Sequence, residues 1–189
     1  MKNKRMAILI ALLIAVLVFA GIQFRDNQKM ESYLNKQLNE RLEMLDLQVQ
    51  TIHFVTENAL ADKEITRVSL NEIQESLEML RMKSLQVENL ARGLNLEGAG
   101  ELHGTTHNSS RFMEQRLELL FKEMGDHEKL ALQEDTLRII RHIHGTSSNW
   151  KKESGTFLGP DKTINKTDWV ETLIRMQKHS SEYQRNMDG

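Results

Sequence analysis

Residues 70–94 read LNEIQESLEMLRMKSLQVENLARGL. Leu70, Ile73, Leu77, Leu80, Ser84, Val87, Ala91 and Leu94 recur in strict alternation of three and four steps, with Glu72, Glu75, Glu78, Arg81 and Lys83 between them. That spacing puts one apolar stripe on one face of a helix and charge on the others, the pattern of coiled-coil packing. Leu70, Ile73, Leu77, Leu80, Val87 and Leu94 are therefore the expected interaction seam. The preceding helix folded back and a second copy of the chain would each satisfy it. Ser69 followed by Glu72 reads as a capping box that opens this helix, and Gly93 or Leu96 ends it.

The stretch before it, residues 26–62, contains neither Pro nor Gly and carries Leu38, Leu42, Leu45, Val49, Ile52 and Ala59 at the same steps, with Thr56 interrupting. A second long amphipathic helix is predicted there. Residues 25–96 together are expected to form an antiparallel, coiled-coil-like hairpin.

Still further toward the amino terminus, every residue from 6 to 22 is apolar or Gly, and Phe24 extends the run past Gln23. A helix over 6–24 would measure about 28 Å at ~1.5 Å per residue, close to the ~30 Å hydrocarbon core of a bilayer. The reading is a single transmembrane helix acting as a signal anchor, with membrane lipid as its partner. Lys2, Lys4 and Arg5 favour a cytoplasmic location for residues 1–5. Residues 25–189 would then be extracytoplasmic. The alternative is a secreted protein released by cleavage after Ala20, since Val18-Phe19-Ala20 places small residues as signal peptidase requires. The length of the run and its continuation through Ile22 and Phe24 favour the anchor.

Toward the carboxyl terminus, Gly98, Gly100 and Gly104 with Thr105, Thr106 and Asn108 mark a Gly-rich loop over 97–110. Residues 111–189 read as a small helical bundle. Its apolar positions are Phe112, Met113, Leu117, Leu120, Phe121 and Met124, then Leu130, Leu132, Leu137, Ile139, Ile140 and Ile143. A long loop is expected at 145–167, where Gly, Ser, Thr, Asn and the single Pro160 collect, with a short hairpin around Ser154-Gly155. The last helix opens at Thr167 or Asp168. The fold class is all-α.

Composition narrows the function by exclusion. The 189 residues contain no Cys, which removes disulfides, thiolate zinc sites, iron–sulfur ligation and cysteine catalysis. Formal net charge is −2. Setting aside Lys2, Lys4 and Arg5 leaves the remainder more acidic still, without the basic field that nucleic-acid binding needs. His103, His107, His142 and His144 are the candidate metal ligands. Their spacing is poor for zinc, because the first pair falls in a Gly/Thr loop and the second pair points to different faces of a continuing helix. Solvated histidines near helix ends are the simpler reading. No nucleophile, base and acid stand in a spacing that implies catalysis, so no enzyme activity and no cofactor are expected.

Three functions follow in order of fit. The first is a membrane-anchored extracytoplasmic helical module, structural or interacting with a protein partner or with its own copies. The second is a sensor-like helical bundle that binds a ligand between its C-terminal helices and works through a partner. A histidine-dependent metal enzyme comes last.

Overall fold

The computed structural model describes the backbone of residues 2–157, 162–164 and 166–187, and the side chains of residues 12–157, 162–164, 166–183 and 185. Five helices carry the chain: α1 (Lys2–Asp62), α2 (Arg67–Gly93), α3 (Thr105–Met124), α4 (Glu134–Ser154) and α5 (Asp168–Met187). Two three-residue strands, β1 (Glu64–Thr66) and β2 (Lys129–Ala131), complete the order. The chain divides into two compact units, Met1–Gln37 and Leu38–Gly189.

In the first unit the described side chains from Leu12 to Phe24 are exposed. Among the described residues no helix is long and apolar enough to cross a membrane. The side chains of residues 6–11, the first part of the span expected at 6–24, lie outside the described residues.

The second unit is a helical bundle whose directions follow from its side-chain bonds. Thr56 meets His144 and Asp46 meets Ser154, so α1 and α4 are antiparallel. The Trp150–Met176 and Glu153–Arg175 bonds make α4 and α5 antiparallel, and Arg81–Glu114 with Glu88–Gly104 does the same for α2 and α3. α3 and α5 run parallel, as Gln177 meets the His103 N–H and Ser180 meets Ser109. By that chain of directions α2 returns antiparallel to α1, a hairpin-like arrangement.

The α1–α2 and α3–α4 links pair with each other at one end of this unit. β1 and β2 are antiparallel, with Glu64 opposite Ala131, Ile65 opposite Leu130 and Thr66 opposite Lys129. Backbone bonds Leu132 N–H to Lys63 C=O and Arg67 N–H to Glu128 C=O, each 2.9 Å, extend the pairing at both ends. The reversal puts Lys63 at φ 54°, where the left-handed region lets the chain turn directly out of α1. Among these bonds Thr66, and not Ser69, caps α2: its side chain accepts from the Ser69 N–H at 3.0 Å. The ladder ends at Thr66, so the helix begins one residue later, and the capping box expected at Ser69 and Glu72 falls inside it.

The predicted stripes form the core. On α1, Leu38, Leu42, Leu45, Val49 and Ile52 are fully buried and Ala59 nearly so. On α2, Leu70, Ile73, Leu77, Leu80, Ser84, Val87 and Ala91 are all buried, while Leu94 is half-buried because the helix has ended and Leu94 is its C-cap. Burying a Leu or Ile stabilises by about 1.5–3 kcal/mol, so these two stripes supply much of the unit's apolar stabilisation.

Two loop boundaries differ from expectation. Within 97–110 the backbone makes a 3-10 turn at Ala99–Glu101, and α3 already begins at Thr105. Gly98, at φ 79°, supplies the left-handed turn there, and a Cβ at that position would crowd Ile174 at 3.2 Å. The loop expected at 145–167 starts ten residues late, because α4 continues through Gly145 to Ser154 and is followed by a 3-10 turn at Gly155–Phe157. Thr146, Ser147 and Trp150 are buried along that extension, and their packing overrides the glycine. The short hairpin expected around Ser154-Gly155 is instead the end of α4 running into that 3-10 turn. Residues 158–161 and 165 of that loop lie outside the described residues. The Asn39 side chain holds the far part of the link like a second strand, donating to Lys162 C=O at 2.7 Å and accepting its N–H at 2.9 Å.

Candidate functional site

The expected seam is internal. Leu70, Ile73, Leu77, Leu80 and Val87 are fully buried within the same chain, where α2 packs against α3, and they leave no apolar stripe of α2 for a second copy. The large apolar residues that remain exposed in the second unit lie off that stripe: Val68 and Met82 on α2, Leu119 on α3, and Leu47 and Phe54 on α1. Leu47 (54% exposed) and Phe54 (62%) stand seven residues apart on the outer face of α1.

The four candidate histidines separate to three places. His103 is exposed at the α2–α3 link and His107 lies on the first turn of α3, with its Nδ1 3.2 Å from the Arg81 carbonyl. Beside them the buried Glu88 accepts the Gly104 N–H at 2.9 Å. Burial pushes the Glu88 carboxyl above its ordinary value, opposed by the Gly104 bond and then by the fields of Arg92, His107 and His103. His144 belongs to the α1–α4 interface and His142 to a groove between α4 and α5. Among the described residues no three His, Asp or Glu side chains gather to hold a metal ion.

At the α1–α4 interface, His53 and His144 stack with ring centroids 4.8 Å apart and planes 19° from parallel. Thr56 lies 2.7 Å from the Ile52 carbonyl and 3.2 Å from His144 Nδ1. Since the hydroxyl gives its single proton to the carbonyl, His144 Nδ1 is the donor in the second bond, which assigns the ring tautomer. His53 Nδ1 is buried without a partner, and its Nε2 is 3.8 Å from Glu57. Burial lowers the His53 pKa, Lys151 and His144 lower it further, and Glu57 opposes.

The folded chain thus binds a proton at His53 less readily than the unfolded chain does. The stability associated with neutral His53 is present above its ordinary pKa of 6.5 and is lost as pH falls through the depressed folded value. Urea midpoints measured from neutral to weakly acid pH are expected to fall for the parent protein. They should fall less steeply for His53→Gln, and parallel slopes would remove His53 from the acid response.

Between α4 and α5 lies a polar groove of about 190 Å³. α4 contributes Arg141, His142, Gly145, Thr146 and Asn149, one face of the helix at the usual three- and four-residue steps. α5 contributes His179, Glu182 and Tyr183. His179 bridges two carboxylates, with Nδ1 3.4 Å from Glu182 and Nε2 3.6 Å from Glu153. Burial would raise the Glu153 pKa, but its bonds to Arg175 and His179 outweigh this and hold it below the ordinary value.

Tyr183 is 2% exposed, with its ring set edge-on to both Phe112 and His142. Its hydroxyl is buried and has no hydrogen-bond partner among the described residues. A buried hydroxyl left unbonded costs about 1–3 kcal/mol. Burial also drives its pKa upward, against a smaller opposing field from Arg116, so it stays protonated and able to donate.

The loop expected at 145–167 hides the groove, because its α4 residues come together only where the helix continues past Gly145. The usable signal was the polar set 142, 145, 146 and 149, which shares one face only if the helix continues.

Trp150 and Trp169 are fully buried, and neither lines this groove. The Trp150 indole N–H donates to Met176 C=O and Ser180 Oγ, both at 3.1 Å. Ser180 in turn bonds Thr106, and Ser109 bonds the Ser180 carbonyl. A second cavity of about 290 Å³ between α3 and α4 is lined by Leu119, Leu120 and Ile139 with charges at its edge, among them the Arg138–Asp135 pair.

No protein-family model, curated protein or solved structure matches the chain.

Proposed function

We propose that the chain is a membrane-tethered, extracytoplasmic helical bundle that serves as a protein-interaction module. The observation that carries this is the bare apolar surface of α1. Leu12, Leu13, Ile14, Val16, Leu17, Val18, Phe19, Ile22 and Phe24 are between 47% and 64% exposed. Consecutive residues on a helix occupy every face, and a helix that is apolar all round requires an apolar surrounding. With residues 6–11 the run has the length of a bilayer core, and every backbone group in it is bonded within the helix, as lipid demands. Lys2, Lys4 and Arg5 orient it with its amino terminus in the cytoplasm.

The partner surface in this reading is the outer face of α1 at Leu47 and Phe54, since the seam of α2 is taken up inside the chain. A single heptad of exposed apolar residues fits a helix laid alongside, from another protein or a second copy. A photoreactive amino acid at position 54, activated in intact membranes, is expected to capture a protein in a product of higher mass. The same group at the solvent-facing Glu75 should capture far less. Equal or absent capture at both positions would defeat the interaction reading.

A further inference from the structure

We propose that the groove between α4 and α5 is a binding site for a small zwitterion, a molecule the size of an amino acid carrying one carboxylate and one ammonium group. Three observations point to an occupant.

The first is Gly145. It lies inside α4, where glycine is the least favourable residue after proline, yet a Cβ added there would meet nothing within 4 Å. Packing within the chain therefore does not require glycine. What its missing side chain does is leave open the stretch of the groove that it lines.

The second is the wall beside that stretch. Arg141, His142, Thr146 and Asn149 make no side-chain hydrogen bond or ion pair to the described residues, so a face of donors stands unused. The third is Tyr183, whose ring lines the same groove and stands edge-on to His142.

The charges choose the chemical class. A guanidinium with amide and hydroxyl donors nearby suits a carboxylate, which it can engage with two parallel bonds. The opposite wall presents Glu182, which would repel a dianion and attract an ammonium group. A molecule bearing both charges satisfies both walls. A volume of about 190 Å³ is below that of sites for drug-sized ligands and suits one with few heavy atoms.

The test is calorimetric titration of the full-length protein, purified in detergent, with each common L-amino acid. Succinate and putrescine serve as probes carrying only one sign of charge. At least one amino acid is expected to bind saturably and more tightly than either comparator. Arg141→Gln and Glu182→Gln should each weaken that binding by about tenfold or more. Gly145→Leu should abolish it while the melting temperature stays unchanged or rises, because the added side chain enters open space and improves helix propensity. Absence of saturable binding by every amino acid, tighter binding of succinate or putrescine, or unaltered binding in Gly145→Leu would each overturn the proposal.

Discussion

Replacing Leu77 and Leu80 together by Ala is expected to remove most of the stability of the Leu38–Gly189 unit while leaving the proposed membrane tether intact. Both side chains are fully buried near the middle of α2, where it packs against α3. Truncating a buried Leu costs about 2–5 kcal/mol through lost transfer energy and the cavity left behind. The two sites are neighbours on one face, so their costs need not add. Even one such loss is large beside the ~5–15 kcal/mol that holds a typical domain together. In the proposed tethered arrangement the apolar run of α1 would insert by its own hydrophobicity, and it is untouched by these changes. Glu75→Ala with Glu78→Ala is the control: both residues are exposed, and Glu78 reaches only a weak ion pair at 4.0 Å with Arg81. That pair of changes should stay within about 0.5 kcal/mol per site. Urea unfolding of the two double variants decides the matter, and equal midpoints would mean that the wrong face of α2 has been placed inward.

Trp150 gives the second large effect. Trp150→Ala should cost about 3–5 kcal/mol, because a large, fully buried ring is lost where α4 meets α5. Trp150→Phe separates the indole N–H from the bulk. It retains most of the ring volume but removes the donor to Met176 C=O and Ser180 Oγ. Both acceptors keep another bond, since Ser180 Oγ still donates to Met176 C=O at 2.9 Å. A loss near 1 kcal/mol is therefore expected for the Phe variant. Fluorescence of the remaining Trp169, itself buried and bonded to Thr163 C=O at 3.2 Å, reports unfolding in both variants. A Phe variant as damaged as the Ala variant would show that the hydrogen bonds, and not the packing, dominate at this site.

The helices of the bundle were legible where long apolar side chains repeat. Leu38 to Ala59 and Leu70 to Ala91 are buried at the positions their spacing selects. The pattern failed where small polar residues occupy core positions. Thr56, Ser76, Thr106, Ser109, Ser147, Ser154 and Ser180 are all buried, and hydropathy periodicity treats such residues as breaks. They are tolerated inside because several return their hydroxyls to nearby carbonyls, as Thr56 does to Ile52 and Ser110 to Thr106. Misreading Thr146 and Ser147 as loop residues cut α4 short and hid the groove on its face.

The two strands were equally hidden, for a different reason. Glu64-Ile65-Thr66 and Lys129-Leu130-Ala131 are too short to show a two-residue period. They pair only because two helix links meet at one end of the bundle. His53 was likewise invisible as a partner of His144, because their stacking depends on how α1 lies against α4. Sequence spacing records which face a residue occupies, and it does not record which helix stands opposite.

The central claim is that α1 tethers the bundle to a membrane, and cell fractionation tests it most directly. The full chain should sediment with membranes, resist extraction by alkaline carbonate and be released by detergent, while a version beginning at Arg25 should remain in the soluble fraction. Recovery of the full chain in the soluble fraction, or its release by carbonate alone, would contradict the account.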